Sequence, residues 1–158
     1  MLDLRRAEPS DLPALARLWH AAWHETHAPL SPDSLVRLRT LDSFTDRLSG
    51  LLADTMTAGP IEQPLGFCAI KADELYQLFV APEARGRGAA AALLADGETR
   101  LAAAGHDRAF LTCAIGNERA TRFYEKSGWR NVGIVTDTLE TADGPYAMQV
   151  WRFEKALT

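Results

Sequence analysis

The stretch VAPEARGRGAAAALLADG, residues 80–97, sets two glycines and two arginines between an apolar run and a long alanine-rich segment. Glycine is among the poorest helix formers, yet here it stands where a helix begins. The first-turn N–H groups of a helix have no intrahelical acceptor. With the helix dipole they form an anion site, most open where glycine lets a ligand reach the main chain. Gly86 and Gly88 supply backbone freedom, Ala89 and Ala90 leave little bulk in the way, and Arg85 and Arg87 add charge. A pyrophosphate suits such a cradle, provided the amides from Arg85 to Ala90 are unpaired. An ordinary strand-to-helix turn with exposed arginines uses the same residues. A P-loop is excluded because no Gly-Lys-Ser/Thr occurs. The dinucleotide pattern G-x-G-x-x-G/A is matched by Gly86, Gly88 and Ala91. However, APEA separates it from its strand, and Asp107 precedes a strand where an acid at the far end is required.

The rest of the chain places this segment in a sheet. LDLRR reads as a first strand. Ser10 or Asp11 then caps a helix whose Leu12, Leu15, Leu18, Trp19, Ala22 and Trp23 share one face, with Pro13 in its first turn. Beyond Pro29 and Pro32, DSLVRL and DSFTDRLSGLLAD form one or two short helices. ADTMTAG, LGFCAIKA and ELYQLFV follow as a meander of strands. A helix from about Gly88 to Ala104 carries Leu94, Gly97 and Leu101 on one stripe, and RAFLTCAI is a buried strand. Asn117 caps another helix that Gly128 stops, and WRNVGIVTDTLE with GPYAMQVWRFEK closes the chain as a hairpin. This order predicts a mixed α/β sheet, antiparallel in the middle, with a crossover helix and at least one parallel pairing. No repeat or linker divides it, so residues 1–158 are expected to form one domain.

Charge narrows the partners. Seventeen Lys and Arg against 21 Asp and Glu give a net charge of −4 with no basic run, which argues against nucleic acid and fits a cationic substrate such as an amine. With no apolar stretch of membrane-spanning length and a polar N-terminus, the expectation is a cytoplasmic protein without membrane attachment. Cys68 and Cys113 lie in apolar runs and read as small buried hydrophobes. His20, His24 and His27 have helical spacing, but H-E-x-x-H would need His where Ala28 stands, so no metal is expected. His106 closes a helix.

The stretch ELYQLFVAPEARGRGAAAALLADGETRLAAAG resembles motif A of the GNAT superfamily of N-acetyltransferases, whose phosphate loop reads Q/R-x-x-G-x-G/A, here Arg85, Gly88 and Ala90. Further on, NERATRFYEKSGW resembles the family's motif B. The resemblance implies a GNAT-like, mainly antiparallel sheet with flanking helices, in which the parallel strands ELYQLFV and RAFLTCAI splay apart. Acetyl-CoA, as co-substrate, would lie in the gap against Leu78, Phe79, Val80, Arg85, Gly86, Arg87, Gly88, Ala89, Ala90, Asn117 and Tyr124. It further implies that the Leu78 N–H polarises the thioester carbonyl, that Tyr124 protonates the departing thiolate, and that Glu74 serves as base through water.

Each assignment has a structural counterpart. Asn117 is a preferred N-cap, Phe123 and Tyr124 are a core pair, and Glu74 is an exposed strand-start carboxylate. In the family, the helix carrying Trp23, His24 and His27 walls the acceptor side; an exposed helix end is the alternative for each. The implied activity is direct acetyl transfer to a primary amine of a small molecule, peptide or protein. There is no acyl-enzyme and therefore no nucleophilic Cys113. Dimers are common among such proteins, so a homodimer is an expectation. A non-catalytic acyl-CoA-binding regulatory module and a dinucleotide-binding oxidoreductase are the competing readings. The acceptor is chosen by loops around residues 24–60 and 136–145, which carry no motif.

Overall fold

The computed structural model describes residues 2–157. Strands β1 (Leu4–Arg6), β2 (Thr55–Ala58), β3 (Gly66–Lys71), β4 (Glu74–Val80), β5 (Arg108–Cys113), β6 (Arg130–Thr141) and β7 (Gly144–Ala156) build one seven-stranded sheet in the order β1-β2-β3-β4-β5-β7-β6. Every neighbouring pair is antiparallel except β4–β5. The helices are α1 (Leu12–Thr26), α2 (Asp33–Leu38), α3 (Leu41–Ser49), α4 (Ala89–Ala103) and α5 (Glu118–Lys126). None of the described helices is long and apolar enough to cross a membrane.

Apolar residues collect into two layers. In one, Leu15, Trp19 and Trp23 of α1 and Phe44 and Leu48 of α3 meet Phe67 of β3. In the other, Leu93, Leu94 and Leu101 of α4 meet Cys68, Leu75, Leu111 and Phe153. The Leu94, Gly97 and Leu101 stripe is the buried one. A Cβ at Gly97 would stand 3.0 Å from both Cys68 Sγ and a Leu75 methyl, so the missing side chain sets how closely α4 lies on the sheet. Gly105, at φ +97°, ends α4 in a Schellman turn, with the His106 amide donating to Leu101 O and the Gly105 amide to Ala102 O.

Two local features differ from the sequence expectation. Neither Ser10 nor Asp11 caps α1 through its side chain, because Ser10 lies within a single 3-10 turn, Pro9–Asp11, and the Asp11 carboxylate turns back instead. It accepts both arms of the Arg5 guanidinium at 2.7 Å and the Glu8 amide at 2.8 Å. That cation holds the buried carboxyl below its ordinary range.

The second feature is a β-bulge in β4. Gln77 opposes Ala69 while Leu75 opposes Ile70, so Tyr76 is the extra residue. A bulge re-aims side chains. Here it turns Glu74, Tyr76, Gln77 and Phe79 into one cavity wall, while Leu75 and Leu78 pack toward α4.

Gly97→Leu is expected to destabilise the protein by about 1–3 kcal/mol through overpacking against Cys68 and Leu75. A thermal melt showing no loss of stability would contradict the packing described.

Candidate active site

The loop before α4 opens onto a cavity. Gly86 (φ +79°) and Gly88 (φ +80°) are left-handed, and a Cβ on either would meet nothing within 4 Å. Backbone conformation therefore selects glycine here, and the space beside it stays open. The amides of Gly86, Arg87, Gly88, Ala89 and Ala90 make no well-formed hydrogen bond to a backbone carbonyl of a described residue. Arg85 departs from the expectation of a fully unpaired run. The preceding 3-10 turn, Pro82–Ala84, closes with the Arg85 amide donating to Pro82 O at 3.3 Å. The Arg85 guanidinium reaches Glu25 of α1 at 2.5 Å.

Strand divergence supplies the rest of the cavity. β4 and β5 register at a single pair, Glu74 with Phe110, and then part. The Ala81 amide donates to Leu65 O, toward β3, so the alternation of a strand directs the Leu78 and Val80 amides to the opposite, unpaired side. The cavity of about 420 Å³ formed there is walled by Leu78, Phe79, Val80, Arg85, Gly86, Gly88, Ala89, Ala90, Asn117 and Tyr124. Of the residues singled out from sequence for this role, only Arg87 is missing from the wall; its side chain is exposed. Ala22 and Thr26 of α1, His27 at its C-cap and Arg119 of α5 also line it. Of these, the sequence set His27 toward the acceptor and Ala22 on the apolar face of its helix, and no sequence pattern marks Thr26 or Arg119.

Helix α5 sets Asn117 and Tyr124 at its two ends. Asn117 Oδ1 accepts the Ala120 amide at 3.2 Å, so the N-cap and cavity-wall readings hold together. At the other end Gly128 (φ +90°) forms a second Schellman turn, in which the Trp129 amide donates to Tyr124 O. The Tyr124 ring is packed between the Trp129 ring, 6.4 Å away, and the Phe153 ring, 5.9 Å away. The Ser-Gly-Trp sequence thus fixes the Tyr124 ring. Burial pushes the phenol up from its ordinary value, so it keeps its proton at neutral pH.

A second cavity, of about 190 Å³, lies between α1, the α2–α3 region and the sheet. Glu74 stands in it, half-buried rather than exposed, and its pKa is pushed up to about 7. Burial is the main cause, Asp137 and Asp73 add to it, and Lys71 and Arg152 oppose it. The helix end of α1 is likewise not free. Trp23 is buried, and His24 Nε2 lies 2.6 Å from Arg39 O, which ties α1 to the end of α2. Burial lowers the His27 pKa to about 4, leaving a neutral ring stacked on Trp23 at 5.9 Å. His27 and Phe79 line both cavities, which therefore meet between them. Cys113 faces the second cavity as a thiol, its pKa raised to about 11 by burial. Among the described residues no three His, Cys, Asp or Glu side chains converge as a metal site.

The sequence profile of the Acetyltransferase (GNAT) family matches residues 12–129. No curated protein matches the sequence. Among solved structures, a GCN5-related N-acetyltransferase (aminotransferase, class-II) from Rhodopseudomonas palustris aligns with a TM-score of 0.77 at 23% identity, covering 99% of this chain and 96% of its own. A phosphinothricin acetyltransferase from Sinorhizobium meliloti in complex with AcCoA aligns with a TM-score of 0.74 at 17% identity, over 99% and 88%. The PaiA N-acetyltransferase from Thermoplasma acidophilum in complex with coenzyme A gives 0.66 at 19%, over 99% of each chain. At these identities the likeness is one of fold.

Saturating coenzyme A is expected to raise the melting temperature by roughly 5–10 °C. Gly88→Asp should abolish that shift. Asp tolerates a left-handed backbone, so the variant still folds while placing a carboxylate in the cradle. A retained shift would mean that the loop is not the anion site.

Proposed function

The chain belongs to the GNAT acetyltransferase family and is an acyltransferase. On that premise we propose that it moves an acetyl group from acetyl-CoA directly to a primary amine, with both substrates bound at once. Residues 1–158 act as one catalytic domain in this reading. The observation that carries it is the meeting of the two cavities at His27 and Phe79. One cavity offers free amides and an open strand edge to an extended phosphorylated ligand, and the other offers a carboxylate near its point of ionisation to an amine. The coenzyme A and AcCoA complexes of the two neighbours support the choice of acyl donor.

Acetyl-CoA supplies an activated acyl thioester. The amides of Gly86 to Ala90 hold its diphosphate, and Asn117 and the unpaired edge of β4 hold the extended arm. The Leu78 N–H faces the carbonyl oxygen, where a main-chain donor stabilises negative charge as the amine adds. Glu74 receives a proton from the ammonium, through water, so that the nitrogen has a free pair; with a pKa about 7 it is suited to that exchange at neutral pH. As the new C–N bond forms and the C–S bond breaks, Tyr124 donates a hydrogen bond to the departing sulfur. The second nitrogen proton balances the thiol that leaves. Cys113, held as a thiol without a paired base, takes no part.

Thiol release from acetyl-CoA, measured across a library of primary amines, tests the proposal. The rate should rise with pH through about 7, because only ionised Glu74 accepts the proton. Glu74→Gln should remove that inflection and leave any limb due to the amine itself. Tyr124→Phe should lower kcat roughly a hundredfold or more while coenzyme A still binds. Coenzyme A binding without thiol release for any amine would overturn the proposal.

A further inference from the structure

The second cavity carries positive charge that the chain itself leaves unanswered. Arg39, which ends α2, is only 2% exposed. Its Nη1 donates to Glu140 O at 2.6 Å, but its buried Nε has no partner. Arg47 of α3 lies with Cζ 4.4 Å over the Trp19 ring and one nitrogen 3.4 Å from the Tyr76 hydroxyl, and its buried Nε is also without a partner. The indole N–H of Trp19, a fully buried residue, is likewise unpaired. All three side chains line the same cavity. Among the described residues neither guanidinium has a carboxylate oxygen within 4.0 Å.

Such an arrangement is costly. Buried polar groups are nearly always paired, and the buried Arg39 is repelled by the partly buried Arg47 nearby. Burial together with Arg47 lowers the Arg39 pKa to about 10, which still leaves it charged at pH 7. The unmatched atoms are all donors that lie beneath the cavity surface, and what a ligand in the cavity can answer is the guanidinium charge, which calls for an anion.

The same cavity also holds carboxylates. Glu74, Asp137 and Glu140 line it; Glu140 pairs with Lys71 at 3.6 Å, and among the described residues neither Glu74 nor Asp137 has a cationic side chain within 4.0 Å. Tyr76, the bulged residue, lies two positions along β4 from Glu74 and in contact with Arg47. The room available, about 190 Å³, falls below the roughly 300–1,000 Å³ usual for drug-sized ligands and suits a small molecule.

We infer that the acceptor is a small amine bearing a carboxylate, with the carboxylate seated at Arg39 and Arg47 beside the Trp19 indole and the ammonium turned toward Glu74 and Asp137. This inference rests on the reading of the chain as an N-acetyltransferase and names the substrate class of that site. A neutral or purely cationic amine leaves the arginines unmatched and binds more weakly. Like charge at Arg39 and Arg47 also selects against polyamines.

The test compares acceptors that differ only in the anion: glycine, β-alanine, γ-aminobutyrate and the common L-amino acids against their carboxamides, with taurine and phosphoethanolamine as sulfonate and phosphate counterparts. The wild-type enzyme should favour the carboxylates in kcat/KM by roughly ten- to a hundredfold over the matched amides. Arg47→Gln should raise KM for the carboxylates by a similar factor, leave KM for the amides nearly unchanged, and keep the melting shift with coenzyme A. Equal or better turnover of the amides, a preference for phosphoethanolamine or taurine, or an unchanged carboxylate preference in Arg47→Gln would overturn the inference.

Failure of the transferase reading has a different signature, namely no thiol release with any acceptor. In that event calorimetric titration of the coenzyme A-loaded protein with the same carboxylates decides the anion seat directly. Binding that Arg47→Gln removes upholds it, and absence of binding refutes it.

Discussion

β4 and β5 touch at Glu74 and Phe110 and then separate, and the rest of the molecule is arranged around that separation. Each side of the seam is otherwise complete. β3 pairs along β4 from Lys71–Glu74 to Gly66–Val80, and β7 pairs with every residue of β5. The cost of the opening is confined to backbone groups such as the Leu78 and Val80 amides, which face the gap. Unpaired main-chain groups are tolerated where water or a ligand completes them, and an extended ligand can complete them as a strand would. The same seam ends beside the loop before α4, so an anion seated on the glycine amides lies in line with a chain laid along β4.

Charge divides the work between the two cavities. In the cavity before α4, helix-start amides and the Arg85 guanidinium present positive potential, but Arg85 is already engaged by Glu25, so an anion seated there would compete with an internal carboxylate. In the second cavity Lys71 pairs with Glu140, whereas Arg39, Arg47, Glu74 and Asp137 form no ion pair among the described residues. Between the two cavities sits His27, kept neutral by burial, so this residue puts no charge where they meet. The bulge at Tyr76 makes this possible. Without it, Glu74 and Phe79 would lie on opposite faces of β4.

Features governed by local backbone rules were legible in the sequence. Gly86 and Gly88 at left-handed positions, Asn117 as an N-cap, and Gly128 followed by Trp129 in a Schellman turn all follow from neighbours within a few residues. The sheet with its one parallel pair followed from element order and the family resemblance. Long-range contacts were not legible. Arg39 is a charged residue in an ordinary helix-and-turn stretch, and only the fold brings it against Glu140, some hundred positions away. Asp11 looked like a cap because its local pattern fits one, but Arg5 takes the carboxylate. Arg85 seemed to extend the free amides, but the Pro82 turn pairs its N–H. A bulge leaves no trace in a strand seven residues long, so the wall that joins Glu74 to Phe79 emerges only in three dimensions.

The claim on which the account rests is that the amides of Gly86 to Ala90 are free to bind a diphosphate. Amide-resolved NMR on the labelled protein, titrated with coenzyme A and separately with its dephosphorylated pantetheine fragment, tests it most directly. Coenzyme A should shift the Gly86, Arg87, Gly88, Ala89 and Ala90 amide resonances and protect them from exchange, whereas pantetheine should move those of β4 alone. If coenzyme A binds and leaves the five loop amides unmoved, the phosphate cradle lies elsewhere and the account is wrong.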